Sequence, residues 1–248
     1  MRRNHYTLGF IVALALLALV TSKLQAADDL REKQASQKEA LSAGIEISTE
    51  ELKQIIQTGK TLVIDVRPAK EYAISHIPGS VNIFETDIGQ MIKITPDKSF
   101  GPVLYCNGPY CHKTTRVAEK LSTKGYTNIK KYQNGLPVWR ALGNTAETSI
   151  SGFKYVYGSD KTAVFVDARN KDEYKAGTIA GAINLQTNEI EAANNDGRLP
   201  YTDHGTRIII FGNTAHQARQ LAEAVAQRAY WNSSYLAGTY EDLKKSGL

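Results

Sequence analysis

The sequence predicts an α/β chain of two tandem units, each a small, mainly parallel sheet flanked by helices. Two observations carry this reading: a gap-free internal repeat, and short β-branched runs alternating with stretches of helical periodicity. "LVIDVRPAKEYAISHIPGSVNI", from Leu62, lies without a gap on "VFVDARNKDEYKAGTIAGAINL", from Val164. Asp65 falls on Asp167, Arg67 on Arg169, Glu71 and Tyr72 on Glu173 and Tyr174, Gly79 on Gly181 and Asn82 on Asn184.

The elements follow in chain order. Arg2 and Arg3 precede an apolar run from Leu8 to Val20, and the polar stretch from Thr21 ends in small residues at Ala26. The run is short of the roughly 20 residues a membrane-crossing helix needs, so residues 1–26 read as a signal peptide cleaved after Ala26, with an uncleaved membrane anchor as the weaker alternative. The expected location is therefore periplasmic or secreted, with no membrane association once the signal is gone. Removing these residues takes away Arg2, Arg3 and Lys23 and no acid, so the net charge falls from +5 to +2. No basic stripe interleaved with aromatics is present, and nucleic acid is not an expected partner. Residues 27–44 are polar, without an apolar period, and read as a leader or frayed helix.

A Ser48-Thr49-Glu50-Glu51 capping box opens the first helix of a domain assigned to residues 45–146. Strands are expected at Leu62 onward and at Val103 to Tyr105, with a helix carrying Val117 and Leu121 on its buried face. The second domain, residues 147–248, repeats this with a strand from Arg207 to Phe211 and a helix carrying Leu221 and Val225. The join is placed in "GNTAETSISG", Gly143 to Gly152, where periodicity lapses. "FKYVYGSDK" offers no clear counterpart to the Glu51 to Gln57 helix, so an irregular first crossover is expected in the second domain.

Ligands of parallel sheets bind beyond the carboxyl ends of strands, where loops meet helix N-termini. "PVLYCNGPYCHKTTRVAEKL" puts Cys106 there. The loop Cys106-Asn107-Gly108-Pro109-Tyr110-Cys111 can curl so that backbone N–H groups face the sulfur, helped by the conformational freedom of Gly108. Such a cradle, with the helix dipole and Lys113, binds anions and lowers a cysteine pKa from about 8.5 towards neutrality. Cys106 and Cys111 are the candidate reactive residues, and Asn107, Gly108, Tyr110, His112 and Lys113 the candidate substrate-binding ones. Two cysteines so close in sequence cannot staple distant segments. The scattered histidines and the cysteine spacing suit no metal, and no cofactor is expected.

The ordered set "DVR…EY…HIPGSVNI", "VLYC" with its loop and helix, and "GYTNIKKYQNGLPVW" resembles the rhodanese family, and does so twice along the chain. The resemblance implies tandem rhodanese-like domains. It further implies a cysteine, here Cys106, that takes sulfane sulfur from a donor such as thiosulfate, holds it as a persulfide and passes it to a thiol or cyanide. Loop amides from Asn107 to Cys111 would then stabilise the persulfide and the incoming oxyanion. The sequence departs from the family pattern in a loop two residues longer and in Cys111 standing where an arginine often closes it. Rhodanese-related phosphatases and arsenate reductases end their signature with arginine; His112 occupies that place here, which disfavours phosphoryl chemistry. In the second domain the corresponding position is Gly212, and the nucleophile is lost.

Other polar residues are expected to be structural. Asp65 and Arg67 recur in the copy without a nucleophile and should hold the fold, with Glu71 a partner for Arg67. His76 is assigned to a turn, His216 to a helix start, and Trp139, Tyr126 and Tyr132 to core or groove. Lys113 and Arg116 oppose the helix dipole and suggest a bound anion. The leading expectation is an exported sulfurtransferase acting on a small anionic sulfur donor and a thiol acceptor. A redox pair of Cys106 and Cys111, and a non-catalytic binding module that uses the second domain to meet a protein partner, are its rivals.

Overall fold

The computed structural model describes residues 22–23, 25–37 and 43–248. The signal peptide expected over residues 1–26 thus lies almost entirely outside the described residues. Residues 25–37 form an exposed helix, α1. No helix among the described residues is long and apolar enough to cross a membrane.

The first domain runs β1 (Ile45–Glu46), α2 (Thr49–Thr58), β2 (Val63–Asp65), α3 (Ala69–Ile74), β3 (Val81–Asn82), α4 (Ile88–Ile94), β4 (Val103–Tyr105), α5 (Lys113–Thr123), β5 (Lys130–Tyr132) and α6 (Gly135–Ala141). Its five strands are parallel, in the order β1-β5-β4-β2-β3. Alternate strand residues face opposite layers, as a pleated strand requires. Ile64 and Leu104 pack with Val117, Ala118 and Leu121 of α5. Val63, Val103 and Tyr105 pack on the other face with Leu52 of α2 and Trp139 of α6. The capping box at Ser48 is formed, its hydroxyl accepting from the Glu51 N–H while the Glu51 carboxylate accepts from the Ser48 N–H.

The second domain repeats the plan with β6 (Ala146–Thr148), α7 (Ile150–Ser159), β7 (Val164–Asp167), α8 (Lys171–Ala176), β8 (Ile183–Asn184), a 3-10 turn at Thr187–Glu189, α9 (Ile190–Asp196), β9 (Ile208–Phe211), α10 (Ala215–Ala226), β10 (Ser233–Leu236) and α11 (Tyr240–Lys245). Its five parallel strands are ordered β6-β10-β9-β7-β8. The expected α/β architecture of two parallel-sheet units is the one observed.

The stretch from Gly143 to Gly152 spans the change from the first sheet to the second: Ala146, Glu147 and Thr148 pair with Ser234, Tyr235 and Leu236 and belong to the second sheet. One expectation is corrected: the first crossover of the second domain is not irregular, because α7 is the counterpart of α2. Ser149 caps it, accepting from the Gly152 N–H, and Phe153 and Val156 are buried on its inner face. Gly152 and Gly158 weaken helical propensity there, and packing against both the second sheet and α3 overrides that weakness.

The two domains meet across α3 and α7. His76 and Glu147 exchange backbone hydrogen bonds of 2.9 and 2.8 Å, and the Ala73 carbonyl accepts from the Ser149 N–H at 2.9 Å. A Cβ at Gly152 would collide with that same carbonyl, so glycine sets how closely the domains approach.

Candidate active site

Cys106 follows β4 directly and is 2% exposed, at the carboxyl edge of the sheet where the crossing loop turns into α5. Its sulfur is bonded to that of Cys111 at 2.02 Å, with the Cα atoms 6.3 Å apart, inside the roughly 4.4–6.8 Å a disulfide spans. The sulfurs close the loop on itself: Cys106 lies in the core between the sheet and α5, and Cys111 packs half-buried against it.

The loop is shaped by its own glycine and by the next strand over. Gly108 has a φ of +121°, and its carbonyl accepts from the Cys111 N–H at 2.9 Å, tightening the far half of the loop into a turn. Gln133, just past β5, donates from Nε2 to the carbonyls of Pro109 at 2.9 Å and Cys111 at 3.1 Å, and its Oε1 accepts from the Thr114 hydroxyl. The Leu136 N–H donates to the Cys106 carbonyl at 3.2 Å. Gly135, at a φ of +62°, allows this approach, since a Cβ there would collide with the Cys106 carbonyl and the Gly108 backbone. Gln133 and Gly135 are site residues that the sequence reading passed over. Their signal was topological: loops after adjacent parallel strands share one edge of the sheet.

The cradle expected from the N–H groups of Asn107 to Cys111 is only partly available. Pro109 has no N–H, and that of Cys111 is spent on Gly108. Asn107, Gly108 and Tyr110 keep backbone N–H groups with no protein acceptor among the described residues. His112 stands at the N-cap of α5 without capping it, so the first-turn N–H groups of that helix are also unclaimed by a side chain. The Tyr110 residue is 94% exposed, so the part of it that the loop holds inward is its backbone N–H and not its ring.

Lys113 is also redirected. Its Nζ lies 3.5 Å from Glu85 and 5.1 Å from the centre of the Phe84 ring, while Arg116 reaches the same carboxylate at 2.6 Å. Burial pushes the Glu85 carboxyl up, but hydrogen bonds and charges from Arg116 and Lys113 outweigh it and hold the group below the usual range. The cations expected to signal a bound anion are thus answered by an acid of the protein itself.

Behind the loop stands the Asp65–Arg67 pair. Arg67 Nη2 meets Asp65 Oδ2 at 2.5 Å and the Ser75 carbonyl at 2.7 Å, and Nη1 donates to Asn107 Oδ1 at 3.2 Å. Burial lowers the pKa of Arg67, and its hydrogen bonds and charge pairing with Asp65 more than restore it, so it stays above its usual value. Asn107 Nδ2 then donates to Glu71 at 2.7 Å. Arg169 and Asp167 reproduce the pair, and Asn213 donates to Glu173 at 2.7 Å. Asn213 is therefore the equivalent of Asn107, which puts Gly212 at the Cys106 position as the sequence alignment required.

The second domain's loop is short and plugged. Thr214 caps α10, and the Gln217 side chain folds back, accepting from the Asn213 N–H at 2.8 Å and donating to the Ala168 carbonyl at 3.0 Å. A Cβ on Gly212 would fall 2.7 Å from Gln217 Oε1, so this side chain fills the space where a nucleophile would project. His216 is exposed on the first turn of the helix and meets no acid–base partner among the described residues. His76 does more than close a turn: it stacks on Tyr72 at 3.7 Å, its Nδ1 contacts the Tyr72 carbonyl, and its Nε2 lies 3.3 Å from Glu147 of the second domain.

The rhodanese-like domain profile matches residues 48–142 and again 157–246. A stretch of 98 residues, 39% of this chain, is 31% identical to the HTH-type transcriptional regulator Rv0324 of Mycobacterium tuberculosis, of which it covers 42%. Among solved structures, thiosulfate sulfurtransferase from Pseudomonas aeruginosa is 17% identical, with 83% of this chain and 46% of that one aligned at a TM-score of 0.39. The BH2092 protein from Bacillus halodurans is 28% identical over 48% of this chain and 85% of its own, also at 0.39. The chain spans under half the length of the first two of these relatives. With the profile matched twice, over most of its length, the chain belongs to the rhodanese-like domain family and carries two copies in tandem.

Proposed function

We propose that this protein is an exported sulfurtransferase in which Cys106 carries the sulfur and Cys111 discharges it. The observation that carries the reading is the position of Cys106, at the carboxyl end of β4 under a loop with unclaimed N–H groups, joined by a disulfide to a second cysteine, Cys111. The Cys106 thiolate attacks the outer sulfur of a donor such as thiosulfate, forming a Cys106 persulfide and releasing sulfite. The amides of Asn107, Gly108 and Tyr110 stabilise the charge on the persulfide. A thiol or cyanide acceptor takes the outer sulfur and restores the thiolate. Alternatively, the Cys111 thiolate attacks Cys106 Sγ, forming the disulfide and expelling hydrosulfide, and a dithiol reductant then reopens the pair.

The test is intact mass of the reduced protein before and after thiosulfate. Wild type and Cys111→Ser should gain 32 Da, and Cys106→Ser should not. The persulfide should decay at least about tenfold more slowly in Cys111→Ser, a barrier change of about 1.4 kcal/mol. Loading of Cys106→Ser sinks the proposal. Export is tested by the same instrument: protein from an exporting host should begin at Ala27.

A second reading, a thiol–disulfide exchange protein, is favoured by the closed Cys106–Cys111 bridge. It requires the reduced protein to reduce a substrate disulfide while failing to gain sulfur from thiosulfate.

A further inference from the structure

Where α6 of the first domain meets the loop after α10 of the second, a cavity of about 330 Å³ opens. Its walls are Pro137, Ala141, Gly143, Ala226, Ala229 and Trp231, and its one charged lining residue is Arg140. Arg67, Arg116, Arg169, Arg198 and Arg219 each hold a carboxylate at 2.5–2.8 Å. Arg140 has none among the described residues. Its Nη2 donates to the Ser75 hydroxyl, its Nε is sealed from solvent without a partner, and Nη1 has no protein acceptor.

The charges around Arg140 make matters worse. Burial first, then repulsion from Arg207 and Arg67, disfavours its charged form. Arg67 is neutralised by Asp65, but Arg207 meets Asp160 only at 3.4 Å and its Nε also lacks a hydrogen bond. A guanidinium in this setting is destabilising unless an anion joins it. The rest of the lining is apolar, and Trp231, 47% exposed, offers a flat ring surface. The volume falls within the range of small-molecule sites, which combine apolar walls with few polar groups.

We propose that this interdomain cavity binds a small organic carboxylate, its charged end held by Arg140 and its apolar body against Ala226, Ala229 and Trp231. The site adjoins the cysteine loop, since Pro137 of its wall lies beside Gly108, but the proposal does not depend on sulfur transfer. It exists only in the tandem arrangement, because α6 supplies the charge and the second domain supplies the apolar wall.

The test is calorimetry and thermal melting of the full chain with acetate, butyrate and phenylacetate, set against phenylacetamide and sulfate. Phenylacetate should bind saturably at one site, raise the melting temperature and bind at least about tenfold more tightly than either its neutral amide or sulfate. Arg140→Gln should abolish this binding while the ligand-free variant melts no lower than wild type, because an unpaired buried charge has been removed. Should Arg140→Gln fail to fold, the proposal falls, since Arg140 would then be structural. Trp231→Ala, at a half-exposed wall, should weaken phenylacetate about fivefold or more. Absence of saturable binding by all three carboxylates, equal binding of the amide or of sulfate, or unchanged affinity in either variant overturns it.

Discussion

Cys106 owes its position to residues that carry no chemistry themselves. Arg67 is locked by Asp65 and reaches Asn107, the residue after Cys106, while Gly135 lets the neighbouring loop touch the Cys106 carbonyl. Gly135→Ala should therefore act twice, through a positive φ that L-residues resist and through collision with the cysteine loop. The expected loss is at least about 2 kcal/mol in urea unfolding, together with loss of thiosulfate loading. Retained loading at unchanged stability would show that the loop does not need this contact. Gln217 has the opposite effect in the second domain, filling the space beside Gly212 from the far side of a short loop.

Among elements, the contrast between the equivalent helices α5 and α10 separates the two domains most clearly. Thr214 caps α10 three residues after β9, whereas α5 begins at Lys113 after a longer loop and has no side-chain cap. An uncapped N-terminus beside a cysteine leaves N–H groups available to an anion, and a capped one does not. The other telling element is α7, a helix with two glycines that is held by packing on both sides. Gly152→Ala would raise its intrinsic propensity yet should destabilise the protein by about 1–3 kcal/mol, because the new methyl meets the Ala73 carbonyl. A rise in melting temperature for this variant would mean that the domains can part at little cost.

The whole molecule is joined by a polar seam. Glu147 accepts from Tyr235 at 2.8 Å and lies 3.3 Å from His76, within the backbone bridge between domains. Burial raises the Glu147 pKa, but hydrogen bonds to His76 and Tyr235 and the charge of His76 outweigh it, so the folded value lies below 4.5. A carboxyl with a lowered folded pKa adds stability that is fully present above its unfolded value and is lost as pH falls through the folded one. The melting temperature of wild type should thus fall below about pH 4.5 more steeply than that of Glu147→Gln, which lacks the titrating group. Parallel pH curves for the two proteins would remove Glu147 from the seam's electrostatics.

The repeat, the strand–helix alternation, the capping box at Ser48, the position of Cys106 and the vacancy at Gly212 were all legible in the sequence, because each is a local or periodic property of the chain. The Asp65–Arg67 pair could be assigned to the fold for the same reason, since its recurrence at Asp167 and Arg169 is visible in the letters. Tertiary structure decided the rest. Glu85 answers Lys113, Gln133 clamps the cysteine loop, Gln217 plugs its counterpart, and β6 and α7 form where periodicity lapses. Arg140 lines an interdomain cavity with no acid paired to it among the described residues. Each of these depends on which distant residues a parallel sheet and a domain interface bring within a few ångströms. Such proximity is set by the packing of whole layers, and no window of sequence contains it.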